Sequence, residues 1–92
     1  MKFIWDDDKN ERNIKIHEID FEDAATIFEQ DVYIEYDIDH SDIEDRWTAY
    51  GLLQGAVIRV TFTMKDSGEV YHLISGREAM KNEEKTYYRN QV

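Results

Sequence analysis

An α+β fold is predicted: an antiparallel sheet of three to five strands with two N-terminal helices and one C-terminal helix. Three observations predict it. Helical spacing dominates the first thirty residues, a period of two begins at Val32, and helical spacing returns after Ile74. Residues 2–5 read as a short strand. Asp6, Asp7 and Asp8 then place acids where a helix N-terminus favours negative charge, and residues 9–17 continue without a breaker into a first helix. Asp20 is the expected N-cap of a second helix over 21–30, with Phe21, Ala24, Ala25 and Phe28 on its buried face. Val32, Ile34, Tyr36 and Ile38 alternate with Tyr33, Glu35, Asp37 and Asp39, as a half-buried strand should. A polar turn over 39–45 follows. Residues 47–53 and 56–64 are β-rich runs separated by Gln54-Gly55, and Lys65-Asp66-Ser67-Gly68 is turn chemistry before a strand over 70–74. Ser75-Gly76-Arg77-Glu78 has capping-box spacing and predicts a final helix running to about Arg89.

Composition narrows the class. The 92 residues hold no Cys, no Pro and four Gly, with 35% charged residues and a net charge of −10. One domain over 1–92 is expected, with a small core burying roughly 60–65% of the surface the unfolded chain exposes. Disulfide and thiolate chemistry are excluded by the missing cysteines. No apolar stretch approaches the ~20 residues of a membrane span, and no secretion-signal pattern opens the chain, so a soluble, cytoplasmic protein is expected. The charge is asymmetric: residues 1–46 hold 16 acidic and 5 basic side chains, whereas residues 47–92 hold 5 and 6. Such a field repels nucleic acid at long range and favours a basic partner, so any contact with RNA depends on local cationic surface.

Several side chains could carry chemistry. Helical spacing puts Glu83 between Ala79 and Tyr87 on the arc facing the sheet, where a carboxylate needs a cationic or hydrogen-bonding partner, for instance Arg59. Arg77, Lys81, Lys85 and Arg89 recur every four residues as a basic strip on the other side of that helix. Arg77 in a first helical turn would oppose the helix dipole, so its position calls for an anionic ligand or a carboxylate. His17 ends the first helix, His40 sits in the acidic turn and His72 in a strand, and none has zinc-ligand spacing. The acids at 37, 39, 42 and 44 lack the glycine and the terminal glutamate of a calcium loop, and no phosphate loop or nucleophile elbow occurs. No metal and no cofactor are expected.

The spacing Phe3-x-Trp5-Asp6-x-x-Lys9-x-x-x-Asn13, then His17, then Phe21-Glu22-x-Ala24, resembles the opening signature of the BrnT ribonuclease toxins. Ile74-Ser75-x-Arg77-x-Ala79, followed by Glu83 and Tyr87, resembles that family's closing signature, and Arg46-Trp47 with Gly51 fits its central strand. The likeness spans nearly the whole chain. It implies a RelE-like microbial ribonuclease fold, RNA cleavage that arrests growth, and neutralisation by a cognate BrnA-like ribbon-helix-helix antitoxin, with DNA contacted only through the antitoxin complex. RNA cleavage without a metal needs a base for the 2′-hydroxyl, cations for the developing phosphorane charge and an acid for the leaving oxygen. On that reading Arg77 is the transition-state cation, His17, Lys9 or Glu83 transfers the proton, and Arg59, Lys65, His72 and Lys81 bind substrate. The chain departs from the family pattern at Ile16, Glu18, Gly76 and Lys65, where a basic residue, Gly, Ala and Arg are usual. Two other readings stay open: a weak or silent member acting as an antitoxin-binding co-repressor, and an interaction module in which Glu83 and Arg59 merely pair.

Overall fold

The computed structural model describes residues 1–91. Its elements are β1 (Lys2–Ile4), α1 (Asp7–His17), α2 (Phe21–Ala24) tightening into a 3-10 turn (Ala25–Glu29), β2 (Tyr33–Tyr36), β3 (Trp47–Leu53), β4 (Ala56–Lys65), β5 (Val70–Glu78) and α3 (Lys81–Arg89). The strands form one sheet in the order β1-β5-β4-β3-β2. It is an α+β architecture in which β2 to β5 are antiparallel and β1 lies parallel to β5. Among the described residues no helix is long and apolar enough to cross a membrane.

Local chemistry explains most of these elements. Asp7 and Asp8 occupy the first turn of α1 and Lys15 and His17 the last, matching the helix dipole at both ends. The α1–α2 corner is stitched by Asn10, which donates to the Asp20 carboxylate at 3.1 Å and accepts from the Phe21 amide at 2.8 Å. Asp20 caps α2 as expected, accepting from the Glu22 amide at 3.0 Å. Gln54 (φ 50°) and Gly55 (φ 84°) make the tight β3–β4 turn with two positive φ values.

α1 ends on Glu18, which is left-handed at φ 59°. A side chain there carries a steric cost that glycine avoids. Glu18→Gly is therefore expected to stabilise the fold by about 0.5 kcal/mol, net of the added freedom of the unfolded chain. Thermal denaturation would read this as a melting temperature a few degrees higher.

Alternation sorts the sheet into two faces. Ala49, Ile58, Val60, Phe62 and Leu73 point to one side, where Phe21, Ala24 and Ile27 of the helical layer close the main core. α2 is short because Ala25–Glu29 winds more tightly, which seats Ile27 against β3 at Gly51, the residue of that strand without a side chain. A Cβ on Gly51 would stand 2.7 Å from the Ile27 Cβ. Because that atom is the stem of a fully buried side chain, Gly51→Ala is expected to cost about 1–3 kcal/mol in a chemical-denaturation measurement. On the opposite face Tyr50, Val57 and Tyr87 form a second, smaller cluster under α3.

The structure corrects two boundaries. The strand predicted over 32–38 stops at Tyr36, because Asp37 turns the chain: its carbonyl accepts from the Ser41 hydroxyl at 2.5 Å and its carboxylate holds the His40 ring at 3.0 Å. The predicted capping box at Ser75 does not form. Residues 75–78 remain in β5, where β4 supplies their partners from Thr61 to Ile58, and α3 starts at Lys81 with Glu83 accepting from the Met80 amide at 2.9 Å. Arg77 is thus a strand residue, and the basic strip of the helix keeps only Lys81, Lys85 and Arg89, all exposed.

A bulge decides which way β5 presents its end. Thr61 pairs with Ser75 and Phe62 with Leu73, so Ile74 is the extra residue. After it, Gly76 faces the helical layer, where its nearest neighbours include Ala24, Ile19 and Asn13, and Arg77 faces α3. Asn13, buried in α1, locks this arrangement. Its amide donates to the carbonyls of Ile19 and Gly76 at 2.8 Å each and accepts from the Gly76 N–H at 3.1 Å.

Candidate functional site

The face away from the main core is polar. Residues paired across the sheet make one row of Tyr33, Tyr50, Arg59 and Arg77 and a second of Glu35, Thr48, Thr61 and Ser75, and Thr63 pairs with His72 beyond them. The period of two that sends Val60 and Phe62 to the core sends Arg59, Thr61 and Thr63 here.

At the α3 end two guanidinium groups share one carboxylate. Arg77 makes a two-pronged contact with Glu83, Nη1 to Oε1 at 2.8 Å and Nη2 to Oε2 at 2.9 Å. Arg59 Nε lies 3.4 Å from Glu83 Oε2, and its Nη2 donates to the Thr48 hydroxyl at 3.3 Å. That Nε is buried and its N–H has no aligned acceptor among the described residues, so its tie to Glu83 is electrostatic. The side chains of Arg59, Arg77 and Glu83 are 23%, 27% and 12% exposed. Burial alone would raise the Glu83 carboxyl, but the Arg77 hydrogen bonds, the Met80 amide and the charges of Arg77 and Arg59 together hold it below the ordinary glutamate value. The hydrogen bonds that Arg77 donates to Glu83 in turn raise Arg77, and burial raises the Tyr50 hydroxyl against the opposing influence of Arg59. One carboxylate thus serves as helix cap and as clamp for two cations. The two guanidinium groups share this one directly bound carboxylate, with Glu35 on the neighbouring row held by the Tyr33 hydroxyl at 3.2 Å.

At the other end Lys65 bonds the Glu44 carboxylate, which that hydrogen bond draws below its ordinary value with help from the charges of His72 and Arg46. The Thr63 hydroxyl, buried beside His72, has no hydrogen-bond partner among the described residues. Arg59, Lys65, His72, Arg77 and Glu83 therefore share one side of the sheet.

Lys9 and His17 do not join them. They line a groove on the helical side with Arg12, Asn13, Ile16 and Ile74. Lys81 stands on the solvent side of α3, and His40 is engaged by Asp37. Sequence reasoning gave no site role to Arg12, Thr48 or Ser75, the last of which it took for a helix cap. Arg12 had a signal, since it falls one helical turn after Lys9; Thr48 and Ser75 gain meaning only from cross-strand register. Among the described residues no group of three or more His, Asp or Glu side chains is placed to hold a metal ion.

A crystal structure of the Brucella abortus ribonuclease toxin BrnT, determined at 1.1 Å, is similar to this chain at 31% sequence identity and a TM-score of 0.64, covering 88% of this chain and 99% of that one. Among curated proteins no match is found. The family described as the ribonuclease toxin BrnT of type II toxin–antitoxin systems matches residues 5–83. With both signatures inside that span or at its edge and the fold held in common, the chain belongs to the BrnT family of ribonuclease toxins.

Proposed function

We propose that this protein is a metal-independent endoribonuclease of one domain over 1–92 that acts in the cytoplasm, cuts RNA on the polar face of the sheet, and is neutralised by a BrnA-like ribbon-helix-helix antitoxin. Contact with DNA runs through the antitoxin complex. The observation that carries this reading is the in-register pair Arg59 and Arg77, two cations held by one carboxylate on a face that also carries hydroxyl groups, His72, Glu35 and the Lys65–Glu44 pair. In the reaction the 2′-hydroxyl oxygen bonds to the adjacent phosphorus as its proton is removed, and the phosphorus–O5′ bond breaks as that oxygen gains a proton. Arg59 and Arg77 offset the charge that builds on the phosphorane. Glu83, held ionised and fully engaged, orients the guanidinium groups and is a positioning residue. Proton transfer falls to His72, the imidazole on this side of the sheet, and Lys65 steers the backbone.

The test is cleavage of total RNA by purified protein with a metal chelator present. Arg77→Ala is expected to lose about 100-fold in rate, the scale of removing one transition-state charge donor. Equal rates for both proteins, or no cleavage by either, would refute the proposal. A second reading is favoured by one observation: Glu83 occupies both prongs of Arg77. On that reading the protein is a silent member that binds its antitoxin as a co-repressor, and induction without the antitoxin leaves growth unchanged.

A further inference from the structure

We infer that the groove between α1 and β5 is a second RNA-binding subsite, which takes the phosphodiester backbone of a single strand on Lys9, Arg12 and His17. The inference rests on the ribonuclease reading for the identity of the ligand and on separate residues for its site. The groove is lined by Lys9, Arg12, Asn13, Ile16, His17 and Ile74, and so by three basic side chains and no carboxylate. This is unusual for its surroundings, because residues 1–46 hold 16 acids and 5 lysines or arginines. Exposed cations in so acidic a segment would be expected to fold onto neighbouring carboxylates. Yet among the described residues Lys9, Arg12 and His17 form no salt bridge. Lys9 and Arg12 are neighbours one turn apart and His17 lies two turns beyond Lys9 through Asn13, so all three charges border the same groove.

The floor suits a nucleotide as well. Ile16 is 71% exposed and Ile74 half-buried, giving an apolar surface beside the cations for a ribose or base edge. The groove is rigid, since Asn13 at its base is hydrogen-bonded to both strand and helix turn. It also adjoins the polar face, because the bulge sends Ile74 into the groove while Ser75 belongs to the row of Thr61. A strand rounding β5 at this point reaches both. The subsite explains how a chain of net charge −10 holds a polyanion: cations are concentrated where the strand runs and acids are kept out of the lining.

The experiment uses fluorescein-labelled single-stranded RNA carrying 2′-O-methyl groups, which cannot be cleaved through the 2′-hydroxyl, titrated with the full chain and followed by anisotropy. Lys9→Gln combined with Arg12→Gln is expected to weaken binding about tenfold at low salt and to reduce the slope of log affinity against log salt by about 1.4, at about 0.7 per lost phosphate contact. Lys15→Gln, which removes one positive charge from α1 outside the groove lining and so is the control for Lys9→Gln alone, is expected to change affinity less than about twofold on the same scale. Circular dichroism checks that each variant is folded, and if the double variant is not, Lys9→Gln alone is read with half the slope change. Absence of binding by the parent protein, unchanged binding by the folded variant, or an equal loss in Lys15→Gln overturns the inference. Failure of the ribonuclease proposal is separately visible, because Arg77→Ala would then leave cleavage unaltered while this titration still reports on the groove.

Discussion

Asn13→Ala is expected to destabilise the protein by about 4 kcal/mol, the sum of leaving the Gly76 amide, the Gly76 carbonyl and the Ile19 carbonyl without their partner. Each group lies at or beside a buried residue, and an orphaned polar group there costs about 1–3 kcal/mol. That is a large share of the roughly 5–15 kcal/mol that holds a small domain together. At about 4–8 °C per kcal/mol the melting temperature should fall by about 15–30 °C. Asn13→Asp separates hydrogen bonding from packing. The shape is nearly kept and the Gly76 N–H keeps its acceptor, but a carboxylate then faces two carbonyl oxygens, so the loss should approach that of alanine. A drop of only a few degrees in both variants would mean that α1 is not fastened to β5 through this side chain.

Asn13 also marks where the sequence stops being informative. Its side chain bridges residues separated by most of the chain, and nothing in the neighbourhood of either end announces the contact. Strands β2 to β5 were readable because period-two alternation is local, and the Gln54-Gly55 turn because its two residues bear the positive φ values themselves. The parallel pairing of β1 with β5 was not readable, since strand order depends on long-range packing of a three-residue edge. The false capping box at Ser75 has the same origin. Its residue types suit a helix start, but β4 already satisfies the backbone there, and the helix waits until Lys81.

The candidate site was partly readable for a similar reason. Glu83 on the buried arc of the last helix follows from the spacing of Ala79, Glu83 and Tyr87, which survives an error in where the helix begins, and its need for a cation made Arg59 one example of a partner. Arg77 was singled out through its supposed place in a helical turn, yet its carboxylate partner came out of the requirement that such a cation be held. Lys9 and His17 belong to the opening signature and Arg77 to the closing one, and signatures are blind to sheet faces. The bulge at Ile74 places the two groups on opposite sides of β5.

Glu83→Gln should lower stability by about 3 kcal/mol near neutral pH, because breaking a largely buried ion pair from one side leaves its cations uncompensated. Glutamine retains the volume and one acceptor for the Met80 amide but offers Arg77 a single acceptor and carries no charge. The melting temperature should fall by about 12–24 °C. The pH dependence has a definite sign. The folded carboxyl titrates below its ordinary value, so its contribution is complete above the unfolded glutamate value of about 4.3 and is lost as pH falls through the lower folded value. The gap between the parent protein and the variant should therefore be widest at neutral pH and close as the solution is acidified below about pH 4. A gap that stayed constant through the acid range would mean that Glu83 acts as a hydrogen-bond acceptor alone, with its charge idle. RNA cleavage measured below the melting point adds an independent readout. If Glu83 orients Arg77 rather than moving a proton, the variant should lose rate by less than Arg77→Ala does and keep the parent's pH profile, whereas loss of one limb of that profile would make Glu83 the proton-transfer group.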